Sequence, residues 1–184
     1  MSIFKNIFCV ITAPKYGWEV INDSNISTGR VLVFAFFPLL AVMALTCFVP
    51  MIYDSTLTFS TQLMKGIVLF SSYFISYYII SYVLSGFYPE LVKSVGALSR
   101  LNNYILYNLI FMVLLEILRN VLPSDFTPVL FLKLYMPVMA YKGTGNLFVK
   151  KNKVMKFAVI SAALILLLPI IFKLVYLNNH GKQQ

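Results

Sequence analysis

The chain has 184 residues, 60% of them hydrophobic and only 11% charged, which exceeds the roughly 45–50% apolar usage of soluble domains. A net charge of +9 would suggest a nucleic-acid partner in a soluble protein, but here Lys and Arg fall between long apolar runs, where topology and anionic headgroups account for them. The composition therefore predicts an all-α integral membrane protein, with five transmembrane helices after an amphipathic interfacial segment and no separate soluble domain.

Residues 1–29 read as a cytoplasmic interfacial segment. Ile3, Phe4, Ile7, Phe8 and Ile11 recur at helical spacing, with Ser2, Lys5, Asn6 and Thr12 mostly elsewhere on the wheel. The apolar stretch from Ile7 to Ala13 is short and no small-x-small cleavage site precedes Lys15, which argues against a signal peptide. A second short helix starts near Pro14, whose fixed φ suits a first helical turn, and runs to the Asn22-Asp23-Ser24-Asn25 stop. It carries Trp18, the only tryptophan, expected at headgroup depth.

The membrane domain, residues 30–177, divides into spans at about 31–51, 66–87, 101–122, 128–141 and 157–177, and a polar tail follows at 178–184. The first span contains Pro38, which predicts a kink near it. In the second, Ser72/Ser76 and Ser81/Ser85 have the small-xxx-small spacing that lets helix backbones approach, and the two pairs point to opposite faces. That pattern places this helix between two others. On the third span Asn108, Met112, Glu116 and Arg119 fall within about 80° of one another, so one polar face should look into the bundle.

The fourth run, Pro128 to Tyr141, follows a tight turn at Pro123-Ser124-Asp125 and covers only about 21 Å as helix, short for a bilayer core of about 30 Å. Charge argues that it nonetheless crosses. With five crossings, Lys5, Lys15, Arg30, Lys93, Arg100, Lys142, Lys150, Lys151, Lys153 and Lys156 share one side, against Lys65, Arg119, Lys173 and Lys182 on the other. This asymmetry places the amino terminus in the cytoplasm and the carboxyl terminus outside. From Glu116 to the end of its span is about 9 Å of helix, and from Pro128 to Lys133 about 7.5 Å, so the two side chains are predicted at similar depth on a hairpin. Two arrangements are open: a cross-hairpin network of Glu116, Arg119 and Lys133, or an Arg119 with Glu116 pair while Lys133 snorkels. Either would be structural. The five lysines of the 142–156 loop are placed against anionic headgroups.

Catalytic groups are scarce. His180 is the only histidine, Cys9 and Cys47 have no paired spacing, and Glu116-x-x-Arg119 lacks the second glutamate and the histidines of a membrane protease. Gly143-Thr144-Gly145 reads as a turn, since no strand precedes it. No enzyme, cofactor or metal site is expected.

The stretch Pro14-Lys15-Tyr16-Gly17-Trp18-Glu19-Val20-Ile21, the Ser- and Tyr-rich second span and the region from Lys133-x-x-x-Pro137 to Gly143 resemble the Yip-domain family, Ypt/Rab-interacting membrane proteins with shorter bacterial relatives. Pro14, Trp18 and Ile21 match its interfacial signature. The resemblance implies a non-enzymatic inner-membrane protein that acts by helix packing with membrane partners, as a homo-oligomer, or by membrane organisation. The family's acidic-Leu-Tyr-Gly-Pro and Gly-Tyr motifs are absent, so no residue carries GTPase binding over. A small transporter or channel subunit, its path lined by the second and third spans, is the alternative from a different class.

Overall fold

A computed structural model of the chain describes residues 3–89, 96–122, 128–147 and 149–180; Pro123-Ser124-Asp125, the connector residues 90–95 and the tail from 181 onward lie outside them. Among the described residues there are helices and no strands. Four helical stretches are long and apolar enough to cross a membrane: α3 (Thr28–Ile52), α4 (Phe59–Phe87), α5 (Ala97–Val121) and the stretch Lys151–Val175, most of which belongs to α8 (Val154–His180).

Local chemistry explains how these helices deviate from the expected spans. Pro38 cannot donate to the carbonyl one turn back, and Leu32–Phe36 widen into a π turn in which Phe37 N–H reaches Leu32 O. Helix α4 starts seven residues before position 66 because Thr58 caps it, its hydroxyl accepting from Thr61 N–H at 3.3 Å. Pro169 does not interrupt α8, which continues through it. Helix α4 packs against α3, α5 and α8. Ser72 and Ser76 are buried, Ser81 Oγ donates to Asn102 Oδ1 of α5 at 2.6 Å, and at Gly66 a Cβ would stand 3.0 Å from Ala44 O of α3.

Helix α5 is the axis of the bundle. Its most apolar window is 78% buried, against 28–39% for the other three stretches, so protein rather than lipid surrounds it. The fourth run is not one continuous helix. It forms α6 (Pro128–Leu132) and α7 (Tyr135–Gly143), each too short to cross, because the Pro137 ring conflicts with the Lys133 carbonyl that a straight helix would present; that carbonyl accepts from Met136 N–H instead. Lys133 meets Glu116 while Ala140 meets Tyr104, twelve residues and about 18 Å nearer the start of α5, so the segment runs back antiparallel along the axis.

The amino-terminal segment forms two helices, α1 (Ile3–Thr12) and α2 (Pro14–Asp23), folded into a hairpin against α5. They cross closely at Gly17, where a Cβ would stand 2.5 Å from the Val10 backbone. Trp18 does not present its ring to the surroundings. It is 3% exposed, enclosed by α5 and α7, because its indole N–H finds a carbonyl inside the protein.

Candidate functional site

Near the end of α5 the buried Glu116 carboxylate is held by two cations. Its Oε1 accepts from Lys133 Nζ at 2.6 Å, and its Oε2 lies 3.5 Å from Arg119 Nη1, one turn along the same helix. Lys133 sits in the break between α6 and α7, so the ion pair fixes that irregular joint to the axis. Lys173 of α8 is also close enough to interact electrostatically with Glu116 and Arg119. Both intrahelical and cross-hairpin pairs are therefore present together. A carboxylate with both oxygens engaged and an excess of positive charge around it holds elements in register and has no free role as acid or base.

Asn108 does not belong to this cluster. Its Nδ2 donates to Tyr104 O at 2.8 Å within α5, and eight residues, about 12 Å of helix, part it from Glu116 with the buried Met112 between them on that face. Asn120 takes a place that sequence reasoning missed: its buried amide reaches Met43 O at 3.4 Å, Thr46 Oγ1 at 3.2 Å and Cys47 Sγ at 3.5 Å, tying α5 to α3. A lone amide one residue past an arginine at a span end gives no pattern to recognise.

The opposite end of α5 holds an aromatic junction. Trp18 Nε1 donates to Met139 O at 3.0 Å, and its ring lies 5.5 Å from that of Tyr104 and 6.2 Å from that of Tyr107. Thr144 N–H turns back to Tyr141 O and leaves Ala140 O without its helical donor; Tyr104 Oη fills that place at 3.2 Å and shares a hydrogen bond with Ser161 Oγ of α8 at 2.8 Å. Gly143 makes this packing possible, since a Cβ there would stand 2.7 Å from the Trp18 ring and 2.8 Å from the Tyr104 ring. Of the signature residues, Ile21 is buried beside Trp18 and Pro14 occupies the first turn of α2, half-buried. Beside the junction lies a cavity of about 230 Å³, lined among others by Ile21, Asn22, Ser99, Arg100, Asn103 and Asn146.

Lys142, Lys150, Lys151, Lys153 and Lys156 are all exposed near this same end, where α8 begins. Among the described residues no three His, Cys, Asp or Glu side chains cluster as a metal site. Compared with family models, curated proteins and solved structures, the chain has no match.

Proposed function

We propose that this is a non-catalytic, multi-pass membrane protein of the Yip-domain kind, working by helix packing with other membrane proteins or by organising the bilayer. The observation that carries the reading is the contact between the stretches on which the resemblance rests: Trp18 of the Pro14–Ile21 stretch donates to Met139 of the Lys133–Gly143 stretch, 121 residues away. A shared signature whose parts are distant in sequence and joined in space behaves as one structural device. The fully engaged Glu116 carboxylate and the buried Met112 between it and Asn108 argue against a conducting path along α5.

In this reading α6 and α7 together make the fourth of five crossings, a broken one that packs Met136, Met139 and Ala140 on the bundle and turns Phe131, Leu132, Leu134 and Val138 outward to lipid. The amino terminus is cytoplasmic, the carboxyl terminus outside, the membrane a bacterial plasma membrane, and the loop lysines meet anionic headgroups. An impermeant maleimide applied to intact cells tests the topology: Lys182→Cys should label and Lys5→Cys should not, whereas equal protection of both would mean four crossings. Purified protein in sealed vesicles should pass ions and small solutes no faster than empty vesicles, and cross-linking in cells should capture membrane-embedded partners. A solute flux abolished by Glu116→Gln would refute the reading and favour a transporter.

A further inference from the structure

The amino-terminal hairpin buries Asn6 together with Ile7, Val10, Trp18 and Ile21, and it leaves the large rings of Phe4, Phe8 and Tyr16 exposed in company with Lys5 and Thr12. On α1, Asn6 is fully buried, its Nδ2 donating to Ser24 Oγ at 3.3 Å, and Ile7 and Val10 are buried beside it. Phe4 and Phe8, one turn apart, are 61% and 68% exposed, and Tyr16 of α2 is also exposed. A helix whose exposed face met water would not carry two phenylalanines one turn apart at its centre.

Contacts along the axis give the depth of each part of the hairpin. Its exit is level with the start of α5: Thr28 Oγ1 lies 3.1 Å from Ser99 Oγ, and Asn103 Nδ2 donates to Ile26 O at 3.0 Å. Trp18 lies deeper, against Tyr104 and Tyr107. The turn between the helices is deeper still, because Ile11 O accepts from Tyr135 Oη at 3.0 Å and the Tyr135 ring lies 6.0 Å from that of Phe111. From Arg100 to Phe111 is about 16 Å of helix, comparable to half of a hydrocarbon core of about 30 Å. The charges have routes to the headgroups: Lys5 lies in the first turn of α1, beside Phe4 and Phe8 and at the shallow end of the hairpin, and Lys15 and Glu19 line a groove with Lys142, Tyr135 and Val138, from which their stems can carry the charges outward.

From this geometry we infer that α1 and α2 form a hairpin inserted end-on into one leaflet, with the acyl chains of that leaflet as the partner of the Phe4 and Phe8 face. The occupant follows from continuity, since α3 beside the hairpin presents Val33 and Phe34 outward as part of the lipid-facing surface of the spans. Insertion to one leaflet's depth adds bulk to that leaflet alone, which is a concrete means of organising a bilayer. The inference rests on the membrane-embedded reading and needs neither the family assignment nor a crossing by α6 and α7.

The test is nitroxide depth measurement on the full-length protein in vesicles of phosphatidylethanolamine and phosphatidylglycerol. Single cysteines replace Phe4, Phe8, Ile75 or Tyr53 in a Cys9→Ala, Cys47→Ala background, and collision with oxygen is compared with collision with a water-soluble nickel chelate. Labels at positions 4 and 8 should favour oxygen, with position 8 deeper by about 6 Å, the rise of four helical residues. Equal depth at the two positions would mean a hairpin lying flat, and chelate access at position 8 would mean one standing in water; either overturns the inference. Position 75, on the exposed face of α4, must be deep and position 53 wet in every case, because a wet position 75 would sink the membrane reading itself.

Discussion

Removing one partner from the Glu116 and Lys133 pair tests whether the charges hold α5 to the joint between α6 and α7. Glu116 is 5% exposed and the Lys133 side chain 15%, so neither group has enough water to replace its partner. Breaking a buried pair by losing one member costs about 3–5 kcal/mol, because the other charge is left in low dielectric. The two single changes should nevertheless differ. Lys133→Met leaves Glu116 facing Arg119 at 3.5 Å, a partial compensation that puts its cost near 3 kcal/mol. Glu116→Gln strands a buried lysine, while Arg119, 48% exposed at its side chain, can turn to the headgroups, so the cost should lie in the upper half of the range. The double variant, Glu116→Gln with Lys133→Met, removes both members of the pair, leaves only Arg119 and Lys173 beside the site, and should recover about 2 kcal/mol or more of the summed losses. Reversible unfolding in mixed micelles of increasing denaturing detergent, followed by the fluorescence of the single tryptophan, measures all four corners of the cycle. Losses that add to within about 0.5 kcal/mol would show that the two side chains contribute independently and that the register argument is wrong.

Gly143→Ala should destabilise by about 1–3 kcal/mol and shift Trp18 emission, since the new methyl meets two rings that cannot both yield, whereas Gly86→Ala, with nothing within 4 Å of the new Cβ, should be neutral or mildly stabilising in the same titration. Comparable effects at the two positions would mean that the aromatic junction is not tightly packed. Replacing Lys150, Lys151 and Lys156 together by Gln should remove most of the extra thermal stability that phosphatidylglycerol gives over phosphatidylcholine. Each lysine is worth on the order of 1 kcal/mol at most, fading as salt shortens the screening length to about 10 Å at 0.1 M. An unchanged lipid preference would leave these lysines with a topological role only.

The sequence made some of this arrangement legible and hid the rest for identifiable reasons. Helical rise alone placed Glu116 and Lys133 at one depth, because two apolar runs joined by a tight turn leave little freedom in how far along each arm a residue lies. Hydropathy separated lipid-facing stretches from the axis in a less obvious way. The mean hydropathy of the most apolar window is 1.6 in α5 and 2.6 in both the α3 and the Lys151–Val175 stretches, and the most polar of these is the one that protein encloses. In lipid, unlike water, polarity along a span marks the side that neighbours must cover. For α1 the interfacial reading grouped Phe4 and Phe8 with Ile7 on one apolar stripe and set Asn6 apart, whereas the protein buries Asn6 with Ile7 and leaves the two rings exposed. What no periodicity contains is the break at Lys133 and the burial of Trp18. The first depends on a proline that is acceptable in the opening turn of one helix and unacceptable inside a longer one, and the second on a carbonyl supplied from 121 residues away. Both features converge on α7, so the shortest apolar run, and the one least able to cross a bilayer alone, carries contacts to the hairpin, the axis and the last span at once.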